Sequence, residues 1–179
     1  AGLMGAGIAQ VAAAAGYDVV LRDVTPEALD RGLGSIRASY AKFVEKGKLD
    51  ASDRDATLGR LAFAADLAAL ADCDLVVEAI VENLKAKQDL FRELDGLCAP
   101  HAIFASNTSS LAVGDMAAST KRPQNFVGLH FFNPVPLMKL VEVIRALATS
   151  QQTHDALMAF ARAIGKEPVT APDRGAMRP

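Results

Sequence analysis

Side chains able to do acid–base chemistry gather in the second half of the chain. Residues 106–110 read Ser-Asn-Thr-Ser-Ser, His130 follows with an imidazole, and Glu142 adds a carboxylate. A hydroxyl and an amide can hold a substrate oxygen, an imidazole can take its proton, and a carboxylate can orient the imidazole. This combination favours proton removal from an alcohol, which a dehydrogenation requires.

Glu142 is the least expected of these residues, because it interrupts the apolar run from Leu140 to Ile144. A carboxylate inside an apolar strand must be paired or must face a site. Its most economical partner is His130, on the predicted strand just before, and such a pair keeps an imidazole in one tautomer. Local sequence alone favours simpler roles, namely a helix cap for Ser109 and a structural histidine at 130.

Glycines at the start of the chain predict a phosphate-binding turn. Gly2 and Gly5, with Leu3 and Met4 between them, have the spacing of the second and third glycines of a G-x-G-x-x-G pattern. Asp23 follows at the distance where an acid binds a ribose 2′-hydroxyl and repels a 2′-phosphate. NAD is therefore favoured over NADP. The alternative is a helix start in which small residues merely pack.

Helical and strand patterns alternate along the chain, which predicts an α/β fold with a doubly wound, mostly parallel sheet. The predicted helices cover residues 5–15, 25–46, a segment capped by Ser52, 84–97, a short segment capped by Ser110 or a neighbour, and 151–164. The predicted strands cover residues 17–23, 61–64, 74–80, 102–106, 126–131, 139–144 and 167–170. Glu82 and Lys87 follow a strand at the edge where ligands bind, although taken alone they are typical of solvated helix residues.

Composition narrows the classes of function. The chain has 179 residues, 22% of them charged, and a net charge of −2, so charge predicts neither nucleic-acid nor membrane binding. Three scattered histidines predict no metal site. Cys73 and Cys98 have no Cys-x-x-Cys spacing and are interpreted as reduced, buried thiols of a cytoplasmic protein. Neither a spanning apolar run nor a leader is recognised.

Four segments together carry a resemblance to a known family. They are residues 2–9 (GLMGAGIA), 75–83 (LVVEAIVEN), 106–110 (SNTSS) and 130–143 (HFFNPVPLMKLVEV). They resemble the Rossmann-type NAD-binding domain of L-3-hydroxyacyl-CoA dehydrogenases. That family includes bacterial 3-hydroxybutyryl-CoA dehydrogenases and the dehydrogenase part of multifunctional fatty-acid oxidation proteins. The last two segments are the most specific.

The resemblance implies a reaction and a role for each matching residue. An (S)-3-hydroxyacyl-CoA would be oxidised to the 3-ketoacyl-CoA with NAD, in fatty-acid β-oxidation or butanoate-type metabolism. His130 would be the general base, Glu142 would orient it, and Ser109 would bind the substrate oxygen. Asn133 would contact substrate or nicotinamide, and coenzyme A would meet Ser39 and Lys46. The residues implied at the cofactor are Gly2, Leu3, Met4, Gly5, Asp23, Glu82, Lys87, Asn107 and Asn133.

The family pattern also sets expectations for domain organisation. It places a first strand and a first glycine before Ala1, and a helical dimerisation domain after Asp173. We therefore expect residues 1–173 to be a cofactor-binding domain without its first strand, residues 174–179 to be a divergent tail, and the chain to be a fragment of a homodimeric parent. The alternatives are a non-catalytic NAD-binding relative, a partial gene product without function, and another β-hydroxyacid dehydrogenase, although those enzymes typically use a lysine.

Overall fold

The computed structural model describes residues 1–173, in which helices and strands alternate as predicted. The helices are α1 (Leu3–Ala14), α2 (Pro26–Glu45), α3 (Ala51–Leu58), α4 (Leu84–Leu97), α5 (Val113–Ala117) and α6 (Gln151–Ala163). The strands are β1 (Val19–Arg22), β2 (Leu61–Ala64), β3 (Leu75–Glu78), β4 (Ile103–Ser106), β5 (Phe126–Phe131), β6 (Leu140–Arg145) and β7 (Glu167–Pro172). Two 3₁₀ turns, Leu67–Leu70 and Pro123–Asn125, were not predicted. The predicted tail, 174–179, lies outside the described residues.

The chain divides into two compact units, of which the first comprises residues 1–69 and 133–137. Strands β1 and β2 pair in parallel, and the core between α1, α2 and β1 is built from Ala6, Ala9, Leu21, Ile36 and Tyr40. The small side chains of α1 allow close approach of its backbone. A Cβ at Gly7 would lie 2.8 Å from Cβ of Val135, so a larger residue there would collide with segment 133–137.

Local signals explain the limits of α2. The side chain of Thr25 accepts a hydrogen bond from the backbone N–H of Ala28, Pro26 occupies the first turn, and Gly47 adopts φ +63° just after the helix. These three predictions are confirmed. The predicted cap at Ser52 is wrong, because α3 begins at Ala51, so that Ser52 lies inside the helix and Asp50 takes the N-cap position without a side-chain hydrogen bond.

Among the described residues, the second unit comprises 70–132 and 138–173, and it contains a five-stranded sheet in the order β3-β4-β5-β6-β7. Strands β3, β4 and β5 are parallel, β6 runs antiparallel to β5, and β7 is parallel to β6. The predicted α/β fold with mostly parallel strands is confirmed. Hydrogen bonding groups the seven strands into a pair and a five-stranded sheet.

Arg122 binds several groups at the C-terminal end of α4 in this second unit. Its Nε donates to Oδ1 of Asp95 at 2.6 Å, and its Nη2 donates to the backbone oxygens of Asp95 and Cys98 at 2.9 and 3.2 Å. The guanidinium also lies over the ring of Phe104, 5.1 Å from its centroid. One planar cation thus satisfies carbonyls at the helix C-terminus and packs on the core.

The first turn of α5 is capped from a distant part of the chain. Ala112 takes the N-cap position and has no capping side chain, so the prediction that Ser110 or a neighbour caps the helix with its side chain is wrong. Instead the carboxylate of Asp173 accepts from the backbone N–H groups of Val113 at 3.0 Å and Gly114 at 2.8 Å. Within residues 1–173, no helix combines the length and the apolar character needed to cross a membrane.

Candidate active site

His130 and Glu142 form a pair because the register of two strands sets them opposite each other. Strands β5 and β6 are antiparallel, and these two residues are direct cross-strand partners. Nδ1 of the imidazole lies 2.8 Å from Oε2 of the carboxylate. The pairing inferred from an isolated carboxylate in an apolar strand is therefore what the structure contains.

The pairing determines what the imidazole can do. With Nδ1–H donated to the carboxylate of Glu142, the neutral ring carries its free lone pair on Nε2. The side chains of His130 and Glu142 are 17% and 32% exposed, so a substrate can reach them. The ring of Phe132 packs against the imidazole, with centroids 4.6 Å apart. This arrangement can accept a proton at Nε2 while the carboxylate stabilises the resulting imidazolium.

Ser109 lies on the loop between β4 and α5 and does not cap the helix. Its backbone N–H donates to Oε1 of Glu82 at 3.1 Å. Its side chain is exposed at the surface of the loop. Ser109, Glu142, Ile144 and Pro172 line one small cleft of about 50 Å³. The structure thus brings the predicted hydroxyl and the predicted carboxylate to the same place.

Asn107 ties the serine loop to the strand that bears His130. Its side-chain oxygen accepts from the backbone N–H of Phe131 at 2.8 Å, and its own N–H donates to the backbone oxygen of Glu78 at 2.8 Å. Because β4 and β5 are adjacent and parallel, their carboxyl ends lie at the same sheet edge. The contact of Asn107 with the cofactor remains a prediction, and the structure adds this positioning role.

Lys87 is buried against two carboxylates, whereas the side chain of Glu82 is 38% exposed. Lys87 is only 1% exposed, and its Nζ donates to Oε1 of Glu78 at 2.6 Å and lies 3.2 Å from Oε2 of Glu82. The interpretation of Lys87 as a solvated helix residue is therefore wrong. Sequence reasoning missed Glu78 and Ser106, although a glutamate ending an apolar strand signals a buried partner.

The start of α1, in the first unit, has the features of a phosphate cradle. Gly2 is its N-cap, the first turn contains no acidic residue, and no side chain among residues 1–173 caps it. A Cβ added at Gly2 would meet nothing within 4 Å. The backbone N–H groups of Leu3, Met4 and Gly5 precede the first intrahelical bond, which runs from Ala6 to Gly2. A pyrophosphate fits such a helix start.

Asp23 stands one residue beyond the end of β1, as the sequence pattern requires. Its Oδ1 accepts from the backbone N–H of Val24 at 2.7 Å, and its Oδ2 accepts from the α-amino group of Ala1 at 2.5 Å. Burial by itself would raise the pKa of Asp23, but the hydrogen bonds from the amino group and from Val24 outweigh it and lower the pKa. A lowered pKa keeps this carboxylate ionised at neutral pH.

The predicted coenzyme A residues line a cavity of about 370 Å³ in the first unit. Ser39, Lys46 and Asn133 contribute to its wall, together with Lys42 and Lys48, which sequence reasoning missed. Lys42 and Lys46 are four residues apart on or just after α2 and therefore share one helical face, a signal that could have found both. The cavity combines several cationic groups with an otherwise largely apolar lining.

Comparison with known proteins places these features in a family. The family model described as "3-hydroxyacyl-CoA dehydrogenase, NAD binding domain" matches residues 1–174. A probable 3-hydroxybutyryl-CoA dehydrogenase of Deinococcus radiodurans is 51% identical over 173 residues, which is 97% of this chain and 62% of that protein. The mitochondrial hydroxyacyl-coenzyme A dehydrogenase of Homo sapiens is 52% identical over 178 residues, which is 96% of this chain and 57% of that protein.

Solved structures agree with the sequence matches. The (S)-3-hydroxybutyryl-CoA dehydrogenase of Ralstonia eutropha has a TM-score of 0.94 at 40% identity, with 96% of this chain and 61% of that chain covered. FadB2 of M. tuberculosis has a TM-score of 0.94 at 43% identity, with 97% and 62% covered. The fold is Rossmann-type, and the chain spans about three fifths of the length of these relatives. Since the family model matches nearly every residue and relatives share about half of them, the chain belongs to the 3-hydroxyacyl-CoA dehydrogenase family, in its NAD-binding domain.

Proposed function

We propose that the chain binds NAD and provides the base for oxidising an (S)-3-hydroxyacyl-CoA to the 3-ketoacyl-CoA. The observation that carries this proposal is the His130–Glu142 pair, held at 2.8 Å by strand register. A base oriented by a carboxylate suits proton removal from a secondary alcohol. The relatives named above are dehydrogenases of hydroxyacyl-CoA substrates, which supports this substrate class.

The first unit supplies the groups that would hold the cofactor. The free N–H groups at the start of α1 suit the pyrophosphate, and the carboxylate of Asp23 suits a ribose hydroxyl and repels a 2′-phosphate. Gly2 and Gly5 leave room for close approach, since a Cβ at Gly5 would meet only a Leu21 methyl at 3.9 Å. Bound NAD would supply the acceptor for the hydride that leaves C3 of the substrate.

The second unit supplies the acid–base chemistry. Nε2 of His130 takes the hydroxyl proton, and Glu142 stabilises the imidazolium that forms. The hydroxyl of Ser109 donates to the substrate oxygen and restricts its position. In the reverse direction the imidazolium returns the proton to the same oxygen.

Coenzyme A would occupy the cavity of the first unit. Ser39 and Lys46 line it, as the sequence suggests, and Lys42 and Lys48 add cationic groups for phosphates. Gln10 donates from Nε2 to Oγ of Ser39 at 2.8 Å, which directs the hydroxyl hydrogen of Ser39 away from Gln10. Ser39 is then available as a donor to the ligand.

The whole protein is proposed to be a cytoplasmic homodimer. The curated relatives extend beyond the matched region by about two fifths of their length, which leaves room for a helical domain through which the protein dimerises. Cys73 and Cys98 are free thiols, which supports a cytoplasmic location.

A single set of measurements tests the chemistry. The purified chain is titrated with NADH and assayed for reduction of acetoacetyl-CoA, beside His130→Ala and the control His101→Ala at an exposed histidine. We expect saturable NADH binding by all three proteins, and a fall in kcat of about 10²- to 10⁴-fold in His130→Ala alone. Absence of NADH binding, or full activity in His130→Ala, would refute the proposed function.

A further inference from the structure

A buried cluster of charges lies next to the serine loop, and the proposed chemistry does not use it. Glu78 is 3% exposed and Lys87 1%, and they are joined by a 2.6 Å hydrogen bond. The second oxygen of Glu78 accepts from the hydroxyl of Ser106 at 2.6 Å, and Ser106 is fully buried. Every buried side-chain nitrogen and oxygen among residues 1–173 has a partner. Burying a charge is costly unless it is paired and hydrogen-bonded, and each buried charge of this cluster has such partners.

Glu82 joins this cluster to the loop that carries Ser109. One of its oxygens, Oε2, lies 3.2 Å from Nζ of Lys87. The other, Oε1, accepts from the hydroxyl of Thr108 at 2.5 Å, from the N–H of Ser109 at 3.1 Å, and from both the N–H and the hydroxyl of Ser110 at 3.2 and 3.1 Å. A single carboxylate oxygen therefore gathers donors from three consecutive loop residues.

The charge state of Glu82 suits this role. Burial would raise its pKa, but the hydrogen bonds from Thr108, Lys87 and Ser110, together with the positive charge of Lys87, hold it at about 2. The carboxylate is therefore ionised, and a charged acceptor binds N–H and O–H donors more strongly than a neutral one.

We infer that Glu78, Lys87 and Glu82 are positioning residues that hold both ends of the segment 106–110 and thereby fix Ser109. Glu78 anchors Ser106 at the start of the segment, and Glu82 anchors its last three residues. The same ammonium, that of Lys87, binds both carboxylates, so a shift at one end is resisted at the other. The inference rests on the proposed function only in that Ser109 binds the substrate oxygen.

This assignment adds a role to the one that the resemblance implies for Lys87. Its ammonium binds the carboxylates of both Glu78 and Glu82, so it can act on the loop through Glu82. Removing the charge of Lys87 is therefore expected to loosen the loop.

Amide hydrogen exchange tests the inference without cofactor or substrate. Exchange at the N–H groups of Ser109 and Ser110 is followed by NMR in wild type, Glu82→Ala and Glu82→Gln. We expect exchange at these two sites to rise by about tenfold or more in Glu82→Ala, with a smaller rise in Glu82→Gln, whose carbonyl remains an acceptor. The control is Lys85→Met, at an 82%-exposed lysine in the first turn of α4, and it should leave both rates unchanged.

A second variant tests the buried part of the cluster. The double substitution Glu78→Gln with Lys87→Met removes both charges together, so that no unpaired buried ion remains. It should raise exchange at Ser109 and Ser110, because Glu82 loses its ammonium partner. NADH titration of each variant separates loosening of the loop from loss of a cofactor contact, which the resemblance also implies for Glu82 and Lys87.

The outcomes are distinguishable. Unchanged exchange in Glu82→Ala overturns the inference, and unchanged exchange combined with weaker NADH binding assigns Glu82 to the cofactor instead. Failure of the wild-type chain to bind NADH would count against the proposed function alone, since exchange is measured without ligand.

Discussion

Neutralising Glu142 while keeping its shape isolates the contribution of its charge to the chemistry at His130. In Glu142→Gln the side chain has the same length, and its carbonyl can still accept from Nδ1–H at about the present 2.8 Å separation. The amide can also turn its NH₂ toward Nδ1, which would favour the tautomer with the proton on Nε2. That tautomer cannot accept a proton from substrate at Nε2.

The structure sets the magnitude of the expected loss. A hydrogen bond between an imidazolium and a carboxylate contributes about 1.5–3 kcal/mol, and about 1.4 kcal/mol corresponds to a tenfold change in rate. The predicted loss in kcat is therefore about 10- to 150-fold. Because the Glu142 side chain is 32% exposed and water screens the pair, we expect the lower part of this range.

Two measurements check the prediction. Steady-state reduction of acetoacetyl-CoA gives kcat and KM, and we expect the loss in kcat with NADH affinity unchanged. The ¹⁵N chemical shifts of the ring nitrogens of His130 report the tautomer at alkaline pH, independently of turnover. We expect the Nδ1–H form in wild type and a mixture of both forms in the variant.

A matched control separates the pair from general charge effects. Glu167→Gln removes an exposed carboxylate on the neighbouring strand β7, where its nearest cation is Lys139 at 3.6 Å, and it should change neither kcat nor the tautomer. Retention of more than half of the wild-type kcat in Glu142→Gln, together with an unchanged tautomer, would refute the proposed role of Glu142.

Three further predictions address the cofactor, stability and pH. Asp23→Asn should weaken NADH binding about tenfold and reduce the ratio of NADH affinity to NADPH affinity, because the carboxylate no longer binds the ribose or repels a 2′-phosphate. Fluorescence titration with each cofactor measures both affinities, and an unchanged ratio would contradict this role of Asp23. Arg122→Ala leaves Asp95, whose side chain is 7% exposed, without its ion-pair partner, so urea unfolding should show a loss of about 3–5 kcal/mol, and a loss below about 1 kcal/mol would count against it. Since the pKa of Glu82 is lowered from 4.5 to about 2 on folding, its stabilisation is present above about pH 4.5 and is lost as pH falls toward 2. Wild type should therefore lose stability in that window more steeply than Glu82→Gln, and parallel curves would contradict the assignment.

Local signals in the sequence were sufficient for most of the elements. Thr25 and Pro26 start α2, a glycine with positive φ follows its end, and the bounds of β2 and β5 agree with prediction to the residue. These features depend on backbone preferences and hydrophobic period, which act over a few residues and can be recognised in one sequence. The cap of α5 could not be predicted in this way, because its donor groups bind Asp173, about 60 residues further along the chain.

The candidate active site was likewise predicted only in part from the sequence. The sequence by itself determined the reacting groups, since an isolated Glu142 in an apolar strand demands a partner and His130 is the nearest suitable one. Only the tertiary structure decided that Lys87 is buried between Glu78 and Glu82, and that Glu82 holds the loop of Ser109. The physical reason is that periodicity reports which face of an element a side chain occupies. Periodicity does not report which groups another element brings to that face. For a buried charged side chain, those neighbouring groups decide whether it binds a ligand or other side chains of the protein.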